Sequence, residues 1–120
     1  MTPSEIITTD ARNNGQDPDY FLKTVAKILK GKLGILLQKN DTVLLVIRLG
    51  HGKAELHIAT ADSPLRVLSA LKYFVKKMDE SELHTYYLPS VPVNTLSILK
   101  KLDVKLLPSN LKQYKVMLKT

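Results

Sequence analysis

The chain has 120 residues, 44% of them hydrophobic, with no cysteine and 18 Lys and Arg against 11 Asp and Glu, a formal charge of +7. That length suits one domain with a modest core. The lack of cysteine excludes a disulfide framework and thiolate zinc sites, no apolar run approaches a membrane span, and the opening Met-Thr-Pro-Ser-Glu-Ile-Ile has no basic region leading into an apolar one, so no secretory signal is expected.

Residues 1–16 read as a polar N-terminal arm. A short edge strand fits residues 5–9, and Asn13-Asn14-Gly15-Gln16-Asp17 is loop chemistry. Such an arm is expected to be mobile or ordered by a partner. The folded domain is expected over residues 17–120. Asp17-Pro18 starts a helix, a capping carboxylate followed by proline at the first turn. Phe21, Val25, Ile28 and Leu29 form its apolar stripe, and Gly31 and Gly34 end it.

Strands follow at residues 33–38 and 42–49, joined through Lys39-Asn40-Asp41. Val43 to Ile47 is almost continuously apolar, which predicts a central strand with both faces covered. Gly50-His51-Gly52-Lys53 is a hairpin turn, leading to a third strand at 54–61. There Glu55, His57 and Ala59 alternate with Leu56 and Ile58. The period then changes. Leu68, Leu71, Val75 and Met78 lie at helical spacing, so a helix spans Pro64–Asp79, with Asp62 or Ser63 as its cap. A strand at 83–88, a short helix at 94–102 and strands at 104–107 and 113–119 complete the chain, the last two as an antiparallel hairpin. Strand, helix, strand over 54–88 makes a βαβ unit with parallel neighbours. The expectation is an α/β fold, a single mixed sheet with helices on both faces, in the order α-β-β-β-α-β-α-β-β.

That order resembles the GNAT fold of N-acetyltransferases over nearly the whole chain, from about Asp17 to Lys119. The similarity is best in Ile98-Leu99-Lys100-Lys101-Leu102-Asp103-Val104 and in the closing Gln113-Tyr114-Lys115-Val116-Met117-Leu118-Lys119. The resemblance implies a site for the pyrophosphate of acetyl-CoA on amides at the start of the central helix, brought close by a Gln/Arg-x-x-Gly-x-Gly/Ala loop. Here the turn is Thr60-Ala61-Asp62-Ser63-Pro64-Leu65-Arg66. It has no glycine, it loses a donor at Pro64, and it carries a carboxylate at Asp62. Where the family has an Asn and then a Tyr that protonates the leaving thiolate, this chain has Pro92 and Leu99. Asn94 is two residues out of step, and Asp103 stands at a family glycine.

Glu55 and His57 share one face of the third strand. The resemblance gives a carboxylate there the role of base toward a substrate amine; a polar strand face is the plainer reading. His51 and His84 sit on separate elements, a spacing that makes no metal site. Of Tyr86 and Tyr87 only one faces any given side of the sheet, and Tyr114 closes the chain. Lys72, Lys76 and Lys77 form a basic row on the central helix, open to phosphate or to an acidic protein patch.

These readings assign no catalytic, cofactor-binding or metal-binding residue. They predict a structural or interaction protein on a degenerate acetyltransferase scaffold, similar to small acetyltransferase-like virion proteins of short-tailed bacteriophages. Its partners would be other proteins of an assembly, with nucleic acid met through the basic surface and no membrane, in a cytoplasmic or virion setting. Two alternatives stand beside this: an acetyl-CoA-dependent N-acetyltransferase, and a small basic nucleic-acid-binding module.

Overall fold

Val43, Leu44, Leu45 and Val46 are consecutive and all buried, on the strand Thr42–Gly50. Side chains alternate along a strand, so both faces of this one are covered. The computed structural model describes residues 1–89, 97, 99–102, 105–108 and 115–118. In chain order its elements are α1 (Pro3–Asn13), α2 (Pro18–Lys30), β1 (Gly34–Lys39), β2 (Thr42–Gly50), β3 (Lys53–Thr60), α3 (Pro64–Asp79), β4 (Thr85–Leu88), β5 (Lys105–Pro108) and β6 (Lys115–Leu118).

The strands form one mixed sheet in the order β1-β2-β3-β4-β6-β5. β3 and β4 are parallel, joined through α3, and every other neighbouring pair is antiparallel. The fold is therefore α/β. α3 covers one face. Its Val67, Ala70, Leu71, Phe74 and Met78 pack with Leu44, Val46, Ala54, Leu56, Tyr86 and Leu88. α1 and α2 cover part of the other face, where Ile6, Ile7 and Val43 are buried beside Phe21, Leu22, Val25, Leu36 and Ala59.

The N-terminal stretch corrects the sequence reading. Residues 3–13 are a helix, not an arm with an edge strand. Thr2 Oγ1 accepts from the Glu5 amide at 3.2 Å, and Glu5 Oε1 accepts from the Thr2 amide at 2.9 Å, a reciprocal capping box. Pro3 takes the first helical position. The β-branched run Ile6-Ile7-Thr8-Thr9 favours a strand locally. Burying Ile6 and Ile7 on the sheet overrides that preference.

α2 begins at the expected cap, Asp17, whose carboxylate accepts from the Asp19 amide at 3.0 Å. None of its residues is fully buried, so its stripe lies over the sheet without sealing it. It approaches β1 closely at Gly34, where a Cβ would press on the Ile28 side chain and the Val46 carbonyl. α3 has the expected bounds, Pro64–Asp79. Of the helix expected at 94–102, residues 97 and 99–101 are helical and Leu99 is buried. Pro92, Asn94, Asp103 and Tyr114 lie outside the described residues.

Candidate functional site

The turn into α3 is where the resemblance expects an anion cradle. Ser63 occupies the cap position, but its side chain makes no capping hydrogen bond. Asp62 does not cap the helix either; it points across to the β1–β2 turn. Its Oδ2 accepts from the Thr42 hydroxyl at 2.7 Å and from the Asp41 amide at 2.9 Å. The Asp62 amide donates to Thr60 Oγ1 at 3.0 Å, and the Thr60 and Thr42 hydroxyls meet at 2.7 Å. The carboxylate is 1% exposed. Its second oxygen, Oδ1, lies 3.1 Å from Arg66 Nε, an ion pair whose N–H is not aimed at the oxygen, so Oδ1 accepts no hydrogen bond.

The consequence is electrostatic. The amino end of a helix carries partial positive charge. Here a fixed carboxylate already sits beside it and engages Arg66, the one cation in its first turn. A diphosphate entering this turn would meet that negative charge, no glycine and a proline nitrogen without a proton. The residues present do not fit the pyrophosphate of acetyl-CoA.

The opposite face of β3 carries Glu55 and His57. The structure brings them together: His57 Nε2 and Glu55 Oε1 are 2.7 Å apart. The His57 side chain is 45% exposed and that of Glu55 22%. They stand where β3 and β4 part. The two strands pair only through Lys53–Thr85, Ala54–Tyr86 and Glu55–Tyr87. Beyond Glu55, β3 keeps β2 on one side and meets no strand on the other among the described residues.

His57 also borders a cleft of about 390 Å³ between the sheet and the two N-terminal helices. Ile7 and Ala11 of α1, Phe21 and Val25 of α2, and Leu36, Val43 and Leu45 of the sheet form apolar walls. Asp10, Asn14, Gln16 and His57 supply the polar part. The Asp10 carboxylate accepts from the Thr60 amide at 3.1 Å and from Asn14 Nδ2 at 3.3 Å. Burial pushes its pKa up, against the lowering effect of those two hydrogen bonds. Asp10 carries no signal as long as its segment reads as a polar arm. Read as a helix, it follows Ile6 and Ile7 at i+4 and i+3 and so falls on the buried side.

The remaining candidates are dispersed. His51 is exposed in the β2–β3 turn, and His84 Nδ1 contacts Thr85 Oγ1 at 2.8 Å. Tyr86 is buried beneath α3, whereas Tyr87 is half-buried. Lys72, Lys76 and Lys77 are exposed along α3. Lys77 Nζ lies 5.6 Å from the Tyr73 ring centre, and Lys39 Nζ lies 5.5 Å from it. Among the described residues no group of three His, Asp or Glu is placed to hold a metal, and no helix is long and apolar enough to cross a membrane. Comparison with protein-family models, with curated proteins and with solved structures finds no match.

Proposed function

We propose that this chain is a non-catalytic interaction protein built on an acetyltransferase-like scaffold. The succession of three antiparallel strands, a helix, a parallel strand and a closing hairpin supports the scaffold. One observation carries the non-catalytic reading: the buried carboxylate of Asp62 stands beside the start of α3, held by Thr42 and the Asp41 amide. A scaffold whose coenzyme turn has no glycine and a fixed carboxylate beside it keeps its surfaces for other macromolecules. The partners fitting this reading are other proteins of an assembly, as in the virion proteins the chain resembles.

The experiment is thermal unfolding with acetyl-CoA. A ligand at about one hundred times its dissociation constant adds close to 3 kcal/mol of stability. The proposal expects no change in melting temperature at millimolar acetyl-CoA. A clear rise, lost in Arg66→Ala, would overturn it.

A second reading, acetyl transfer, draws on the Glu55–His57 pair at the parting of β3 and β4. Glu55 stands where the resemblance places a base. Its test is direct: acetyl-CoA hydrolysis or transfer to a panel of amines, abolished by Glu55→Gln.

A further inference from the structure

We propose that the cleft beneath α1 and α2 binds a small organic cation with an apolar body, its charged end beside Asp10. The inference goes beyond the interaction reading and does not depend on it. Ligand pockets run from roughly 300 to 1,000 Å³, and this one is about 390 Å³. The cavity exists because α2 lies over the sheet with none of its residues fully buried. Phe21, Val25, Leu36 and Val43 give it an apolar wall that water solvates poorly.

The polar end is set by Asp10. Its two donors, the Thr60 amide and the Asn14 side chain, are neutral. No cation pairs with it among the described residues, although Lys and Arg outnumber acids in the chain. A carboxylate drawn from water is costly unless a positive charge meets it. The other titratable group on the cleft, His57, already faces a carboxylate, with its Nε2 2.7 Å from Glu55 Oε1. Asn14, Gln16 and His57 are exposed and mark the opening.

The net charge of the chain makes the test discriminating. A protein at +7 attracts anions and repels cations at long range. A preference for a cation is then a property of the cleft and not of the surface. Hexylammonium, hexanol and hexanoate, each at millimolar concentration, are titrated into the full-length 15N-labelled chain. Amide shifts at Asp10, Ala11, Val25 and Leu36 report the site. The expected result is hexylammonium binding about tenfold or more tighter than hexanol, with hexanoate weaker than both. Asp10→Asn brings hexylammonium down to the level of hexanol, and Val25→Phe removes both. Equal affinity for the three probes, tighter hexanoate, or no shift at those amides would overturn the proposal. A retained preference for hexylammonium in Asp10→Asn would overturn it as well, and the dispersion of the amide spectrum shows that each variant is folded.

Discussion

The Asp62 carboxylate and the Thr42 hydroxyl meet at 2.7 Å and join the turn into α3 to the first residue of β2, twenty positions earlier in the chain. Thr42 is fully buried, and Asp62 Oδ2 also holds the Asp41 amide. Asp62→Ala leaves that amide without its acceptor and strips Arg66 of its partner. The expected cost is about 3 kcal/mol, read as a lower urea midpoint at unchanged slope. Asp62→Asn keeps an oxygen for both donors and loses about half as much. A loss within error for Asp62→Ala would mean that the bridge is not formed in solution.

Gly52 makes the second firm demand on the sequence. His51 and Gly52 both have positive φ, 53° and 75°. This pair of angles matches the two-residue hairpin turn with the twist of its flanking strands. A Cβ at position 52 would also collide with the His84 ring. Gly52→Ala is expected to cost about 2 kcal/mol, part from the backbone and part from that collision. Adding His84→Ala restores only the steric part. In the same turn, His51→Asn puts in a residue that enters the left-handed region more readily, and it adds about 0.3 kcal/mol. Chemical denaturation of the three variants checks both statements.

Tyr86 ties the end of α3 to the strand that follows. Its hydroxyl donates to the Met78 carbonyl or the Leu83 carbonyl, each at 3.1 Å, and meets Ser81 Oγ at 3.2 Å. Burial raises the phenol above its ordinary pKa. Tyr86→Phe keeps the ring in the core and removes the one proton that the Met78 and Leu83 carbonyls share, for about 1 kcal/mol. Amide exchange is expected to quicken at Leu83 to Tyr86 more than in β2. A uniform change across the sheet would contradict this local role.

Asp10 sets a pH dependence whose sign follows from burial. Its folded pKa lies above the ordinary 3.8 because desolvation disfavours the charged form. Between those two values the folded chain holds the proton longer than the unfolded chain. Stability contributed here is therefore full at low pH and declines as pH rises through the folded pKa. Asp10→Asn removes the titration. Relative to that variant, the wild type loses ground as pH climbs from the ordinary Asp value and then levels off. Urea unfolding across an acid-to-neutral series measures the difference, and a difference that grows in favour of the wild type would reverse the assignment.

Much of the architecture was legible because its signals are local. Proline at 64 with helical spacing from Leu68 to Met78 gave the bounds of α3. The apolar run at Val43 to Ile47 gave a strand covered on both sides, and the period of two at 54–59 put Glu55 and His57 together. At the N-terminus the Thr2–Glu5 box is a weak local signal, and the helix gains its stability only when Ile6 and Ile7 have a sheet to cover. The cleft goes with it, since Ile7, Asp10 and Ala11 of α1 line it. Asp62 was expected to cap or to repel a phosphate. Its bond to Thr42 lies beyond any local pattern, because only the pairing of β1, β2 and β3 brings residues 42, 60 and 62 together.

The account turns on what the first amides of α3 do with a phosphate. The most direct measurement follows the backbone amide signals of Leu65, Arg66 and Val67 in the 15N-labelled chain during titration with coenzyme A, at low and at moderate salt. The account predicts that they stay in place, with only small, salt-sensitive shifts spread over the exposed lysines. Saturable shifts centred on those three amides, persisting in moderate salt, would show a working diphosphate cradle and contradict it.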